Sequence, residues 1–147
     1  MIFDRLSAQL SLPLTAGLLI ATAAFSSYSS LATAADVTVK LTGAQEVPSA
    51  ISPGIATGTI TVGTDRSVSG SVMPTGIAGT MAHIHEAATG KNGPVVIPLT
   101  KNGDSYEVPA GARLTEAQFA SFKAGNFYVN VHTAANPSGE IRAQLKP

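Results

Sequence analysis

Apolar and polar residues alternate with period two through most of this chain. Val37-Thr38-Val39-Lys40-Leu41, Gly58-Thr59-Ile60-Thr61-Val62 and Val68-Ser69-Gly70-Ser71-Val72 show it most clearly. Period two is the spacing of a strand with one face on a core. Further strands are predicted at Met81–His85 around Ile84, Pro94–Leu99, Tyr106–Val108, Tyr128–His132 and Glu140–Leu145. Turn-forming clusters punctuate them: Ser52-Pro53-Gly54, Thr64-Asp65-Arg66, Asn92-Gly93, Asn102-Gly103 and Asn136-Pro137-Ser138-Gly139. Leu114–Lys123 breaks the pattern. Thr115 is suited to be an N-cap and Gly125 a terminator, so a short helix is predicted at Glu116–Lys123. Many short strands with regular turns predict an all-β fold: an antiparallel, Greek-key-like β-sandwich or flattened barrel with one short helix.

The N-terminal stretch has a different character. Arg5 lies in a polar start, Leu12–Phe25 is apolar, and small residues end in Ala32-Thr33-Ala34-Ala35. This is the order of a secretory signal, with cleavage after Ala34 or Ala35. The expected organisation is a signal peptide at 1–35 and one domain at 36–147, exported to the periplasm or outside the cell. The apolar run falls short of the roughly 20 residues of a membrane-spanning helix, so no membrane association is expected after cleavage. The sequence has no cysteine, which excludes disulfides and a bacterial-type lipid anchor. Charges balance to a formal net of zero with no basic cluster, so nucleic acid is not an expected partner.

The three histidines change the picture. His83 and His85 form a His-x-His pair in Met81-Ala82-His83-Ile84-His85, and His132 ends Tyr128-Val129-Asn130-Val131-His132. Residues i and i+2 of a strand leave the sheet on the same face, about 7 Å apart. Two imidazoles at that spacing can converge on one ion, with His132 as a third ligand from another strand. Ala82, Ile84, Val129 and Val131 should face the core. The histidines, with Asn130, then belong to the opposite, outer surface, open to exchange with solvent. Three nitrogens and a free position suit a catalytic or exchange metal. Copper is the first candidate and zinc the second. Met81 shares the histidine parity and is a candidate axial ligand. Glu86 is a candidate for orienting an imidazole, and Tyr128 for covering the ion. With no serine or cysteine nucleophile motif and no phosphate-binding glycine loop, other chemistries have no foothold.

From Asp36 onward the chain resembles the chordin-type (CHRD) domain. The matching motifs, in order, are Leu41–Pro48, Ala82–His85, Asn92–Val96, Tyr128–Thr133 and Pro137–Arg142. This resemblance implies an exported β-sandwich-like domain. A second resemblance covers short motifs only. His83-Ile84-His85-Glu86 is similar to the His-x-His-Glu strand of copper–zinc superoxide dismutases, and Val131-His132 to a later strand carrying another copper ligand. Gly139-Glu140-Ile141-Arg142 falls where those enzymes have a glycine-rich turn and an arginine guiding the anion. The likeness implies copper on His83, His85 and His132, with Arg142 attracting superoxide. A bridging histidine, a histidine-rich zinc loop and a cysteine pair are all absent, so it can only concern a copper-only site. Three functions follow: a copper-dependent superoxide dismutase acting on a small anion, a copper or zinc carrier or buffer loaded by a metal donor, or an interaction module without metal.

Overall fold

The computed structural model describes residues 34–147. The predicted signal segment lies outside the described residues except for Ala34 and Ala35. Among the described residues nine strands follow in order: β1 (Ala35–Thr42), β2 (Ile55–Val62), β3 (Val68–Thr75), β4 (Gly79–Glu86), β5 (Val95–Pro98), β6 (Thr100–Asn102), β7 (Ser105–Glu107), β8 (Phe127–Thr133) and β9 (Ile141–Leu145). One helix, α1 (Glu116–Lys123), separates β7 from β8. The strands form a single sheet in the order β5-β4-β8-β9-β1-β2-β3-β7-β6, and the named pairings are antiparallel. The sheet curls until its ends meet. Leu99 N–H donates to Ala82 O at 2.9 Å, and Lys101 Nζ to Gly79 O at 3.1 Å. The expected flattened barrel with one helix is therefore what forms, as a nearly closed barrel.

The alternation places the core where the sequence put it. Val37, Val39 and Leu41 of β1, Ala56, Ile60 and Val62 of β2, and Ala82 and Ile84 of β4 are buried together with Val129, Val131, Ile141, Ala143 and Leu145. One strand, β6, was not foreseen. The apolar stretch after Pro94 ends at Pro98, and the Asn102-Gly103 turn builds a hairpin between β6 and β7. All three residues of β6 are exposed, so it carries no apolar alternation to read.

Helix α1 has the predicted bounds for the predicted reason. Thr115 Oγ1 accepts from Gln118 N–H at 3.1 Å, and Gln118 Oε1 accepts from Thr115 N–H at 2.9 Å. This reciprocal capping box satisfies two free donors of the first turn. Phe122 anchors the helix, packed edge-to-face on Phe127 with centroids 6.1 Å apart. Burying such a ring stabilises by roughly 1.5–3 kcal/mol. Thr115→Ala should remove the cap without touching the core. The expected loss is about 1 kcal/mol, read as a fall in Tm of roughly 4–8 °C.

Candidate metal centre

The register of four adjacent strands assembles one polar face. His83 of β4 lies opposite Asn130 of β8, Asn130 opposite Arg142 of β9, and Arg142 opposite Thr42 of β1. The neighbouring row runs His85, Tyr128, Gln144, and Met81 pairs with His132. The strand parity read from the sequence thus brings His83, His85, His132, Asn130, Tyr128, Met81 and Arg142 to one side of the barrel wall.

The three imidazoles converge. One ring nitrogen from each of His83, His85 and His132 lies within 4.8 Å of the others. His83 Nδ1 is 3.0 Å from His132 Nε2. Backbone carbonyls fix two of the rings. His85 Nδ1 is 3.0 Å from Gly93 O, and His132 Nδ1 is 2.9 Å from Pro137 O. A carbonyl only accepts, so each Nδ1 carries the proton and each Nε2 turns its lone pair toward the shared point. An orienting contact on the outer nitrogen is the usual support for a ligating imidazole. Glu86 was expected in that role, but the orienting partners are Gly93 and Pro137 carbonyls. Glu86 follows His85 by one residue, so strand alternation turns it away from the histidine face.

The sequence led to an outer surface open to solvent, and here the structure differs. His85 is 7% exposed, His132 6%, Asn130 2% and Arg142 1%, and all seven residues of β8 are buried. The histidine face is opposite the core, as expected, but loops roof it. Arg142 donates to Lys91 O at 2.8 Å and Asn92 Oδ1 at 3.1 Å. Gln144 Nε2 donates to Ala87 O at 2.8 Å, and Asn92 Nδ2 to Val47 O at 2.7 Å. These bonds fasten the 87–94 loop over β8 and β9 and tie it to the segment after β1. Alternation tells which side of a strand a residue takes, not what later covers that side. Of the three histidines, only His83 keeps partial exposure, so access lies on its side. Met81 stands at the same margin, 47% exposed.

Burial sets the electrostatics. It lowers the pKa of His83, with further lowering from the charges of His132 and His85. Burial also lowers His85 and His132, against the opposing hydrogen bonds to Gly93 and Pro137 carbonyls. All three rings are thereby biased toward the neutral form that a metal requires. Arg142 makes no salt bridge with Glu46 or Glu140. Its guanidinium lies 3.4 Å from the Tyr128 ring centroid, and Tyr128 in turn stacks on His85, with centroids 4.6 Å apart and planes 3° from parallel. The positive charge is enclosed, bordering a cleft of about 310 Å³ that Glu46, Val47 and Gln144 also line.

Glu46, within the Leu41–Pro48 motif, also joins the site. It is 7% exposed, and its Oε1 is buried without a hydrogen-bond partner. Burial raises its pKa, opposed first by Arg142 and then by the Asn130 side chain. Gly139 makes this packing possible. Its φ is +133°, and a Cβ there would lie 2.5 Å from Glu46 Oε1 and 2.8 Å from Asn130 Nδ2. The signal available in sequence was that Glu46 and Gly139 both sit in motifs shared with one family. Glu140 is held apart from the site, accepting from Ser52, Thr133 and Asn136.

Residues 37–145 match the family described as the CHRD domain. No curated protein and no solved structure matches the chain. No helix among the described residues is long and apolar enough to cross a membrane.

Proposed function

Since the chain belongs to the CHRD-domain family, whose name alone assigns no chemistry, we propose from its site that it is an exported copper-binding protein acting as a copper-only superoxide dismutase. The observation that carries this reading is the convergence of His83, His85 and His132 within 4.8 Å, with carbonyls holding two outer nitrogens. The donor set fits the ion. Imidazole nitrogen suits copper and zinc, copper(II) leads the affinity order, and no thiolate competes.

When bound, copper supplies one-electron chemistry, the overall change being two superoxide anions and two protons to dioxygen and hydrogen peroxide. The chain's own residues hold and shield. Gly93 and Pro137 carbonyls keep His85 and His132 in the ligating tautomer. Tyr128 fixes the plane of His85 by stacking. The partly exposed edge at His83 admits a small anion and water, and water supplies the protons. Arg142, separated from His85 by the Tyr128 ring, contributes a fixed positive charge, the local attraction that a chain of zero formal net charge lacks globally.

A second reading has its own observation. Met81 lies directly opposite His132 in the β4–β8 register, where a thioether can close the coordination shell and favour copper(I). The protein would then be a copper carrier or buffer. Titration of the purified protein with copper and with zinc, followed by metal analysis and electron paramagnetic resonance, tests the site itself. The expected result is one ion per chain and a nitrogen-rich copper(II) spectrum. No binding of either metal would leave the interaction module.

Metal affinity should depend on pH with a definite sign. Ligation needs neutral imidazole, whose ordinary pKa is about 6.5, and burial lowers all three rings below it. Protons therefore compete only below that range. Affinity should be nearly flat above neutrality and fall as pH drops through the mildly acidic range. The fall should exceed tenfold per pH unit where more than one ring binds a proton. Affinity that stays flat down to strongly acidic pH would exclude three imidazole ligands.

A further inference from the structure

We infer that Asn130 is a fourth donor to the metal, through its side-chain oxygen, an inference that rests on the three-histidine site proposed above. Asn130 Oδ1 is 3.0 Å from His132 Nε2 and 3.1 Å from His85 Nε2. The separation of His83 Nδ1 from His132 Nε2 is also 3.0 Å. Donors about 2.0–2.1 Å from a common ion stand roughly 2.9–3.3 Å apart, for square or tetrahedral angles. These three separations all fall in that range.

Proton counting gives the second argument. With their Nδ1 protons committed to Gly93 and Pro137 carbonyls, neutral His85 and His132 have only lone pairs at Nε2. An amide oxygen also has only lone pairs. The two contacts between them contain no hydrogen to share. His83 can bring a proton to His132, but not to the amide oxygen. Adding protons to the rings would place positive charges side by side in a pocket where His85, His132 and Asn130 are all buried, an arrangement that desolvation and like-charge repulsion oppose. A cation at the shared point turns these facing lone pairs from repulsive neighbours into ligands.

The other face of the amide supports the same orientation. Asn130 Nδ2 and Glu46 Oε1 both crowd the space over Gly139, where a Cβ would lie 2.8 Å from the first and 2.5 Å from the second. Turning the amide over would set its oxygen against the Glu46 carboxylate, acceptor against acceptor. With Nδ2 on the Glu46 side, Oδ1 is the atom that faces the histidines.

Aspartate at this position discriminates a ligand from a positioning group. An aspartate offers a stronger oxygen donor to a metal, but it has no N–H to give to a histidine. The Asn130→Asp change is made with Glu46→Gln, so that the introduced glutamine supplies a donor and no second carboxylate faces the aspartate. Zinc affinity is measured by competition with a chromophoric chelator, alongside copper(II) paramagnetic resonance. The Glu46→Gln/Asn130→Asp protein should bind zinc at least about tenfold more tightly than Glu46→Gln alone. Asn130→Leu should weaken zinc binding by at least about 100-fold, more than the 10–100-fold loss of a group that only supports a ligand, and change the copper hyperfine splitting. Weaker binding by the aspartate variant would overturn the inference, because the amide N–H would then have been the group facing the histidines. Unchanged affinity and spectrum in Asn130→Leu would overturn it as well. Failure of the unsubstituted protein to bind either metal would instead remove the histidine site on which the inference stands.

Discussion

Copper-loaded protein should consume superoxide, and the same protein loaded with zinc should not. Zinc has no accessible second oxidation state, so it can occupy the imidazoles without exchanging electrons. His85→Ala should reduce the copper-dependent rate to the background of a metal-free control, a loss of at least about 100-fold. Removing a ligand should exceed the 10–100-fold typical for groups that merely support one. The effect should be large because His85 serves twice, offering Nε2 to the site and stacking on Tyr128. Free copper also dismutates superoxide, so unbound metal has to be stripped before the assay. One tightly bound copper with no activity above the control would favour the carrier, and Met81→Leu would then be expected to weaken copper(I) retention.

Arg142→Ala should be the most destabilising single change on the polar face. The guanidinium is 1% exposed and donates to Asn92, Lys91 and Gln144 oxygens. Alanine leaves those oxygens without their donor and strips the cation from the Tyr128 ring. Lys91 and Asn92 are exposed and Gln144 is half-buried, so water satisfies part of what is lost and each acceptor costs about 1 kcal/mol, the low end of the range for an unsatisfied group. A total of about 3 kcal/mol or more is expected, seen as a fall in Tm on the order of 10–20 °C. Arg142→Lys separates two roles. A lysine keeps the charge but cannot reproduce the fork of donors. If the arginine chiefly fastens the loops, Lys should lose nearly as much stability as Ala. If it chiefly attracts an anion, Lys should retain both the rate and its dependence on salt.

The parts legible in the sequence are those governed by local rules. Strand parity placed His83, His85, Asn130 and His132 on one face. Thr115 marked the start of the helix, and Gly125, with φ +76°, closes it. What escaped was decided by distant chain. No periodicity announces that residues 87–94 fold back over β8, or that Gly93 and Pro137, rather than Glu86, hold the imidazoles. Arg142 illustrates the difference. Its outward parity was readable, yet a roof built from Lys91 and Asn92 converts an apparent surface charge into a buried clamp. β6 escaped for the opposite reason: a strand with three exposed residues leaves no pattern to find.

The pairing of β1 with β9 through Thr42 and Arg142 has a consequence for the order of events in the life of the molecule. His83 and His132 are separated by 49 positions along the chain, and the roof over them hangs from Arg142 and Gln144 on the ninth strand. Contacts so distant in sequence form late. A growing or threading chain can display both histidines of the β4 pair while the enclosing pocket does not yet exist. Metal met at that stage finds two loose imidazoles, whereas the finished barrel offers a shaped, dehydrated socket. On the proposed metal reading, the compartment in which β9 docks is the one whose metal supply would decide the occupant.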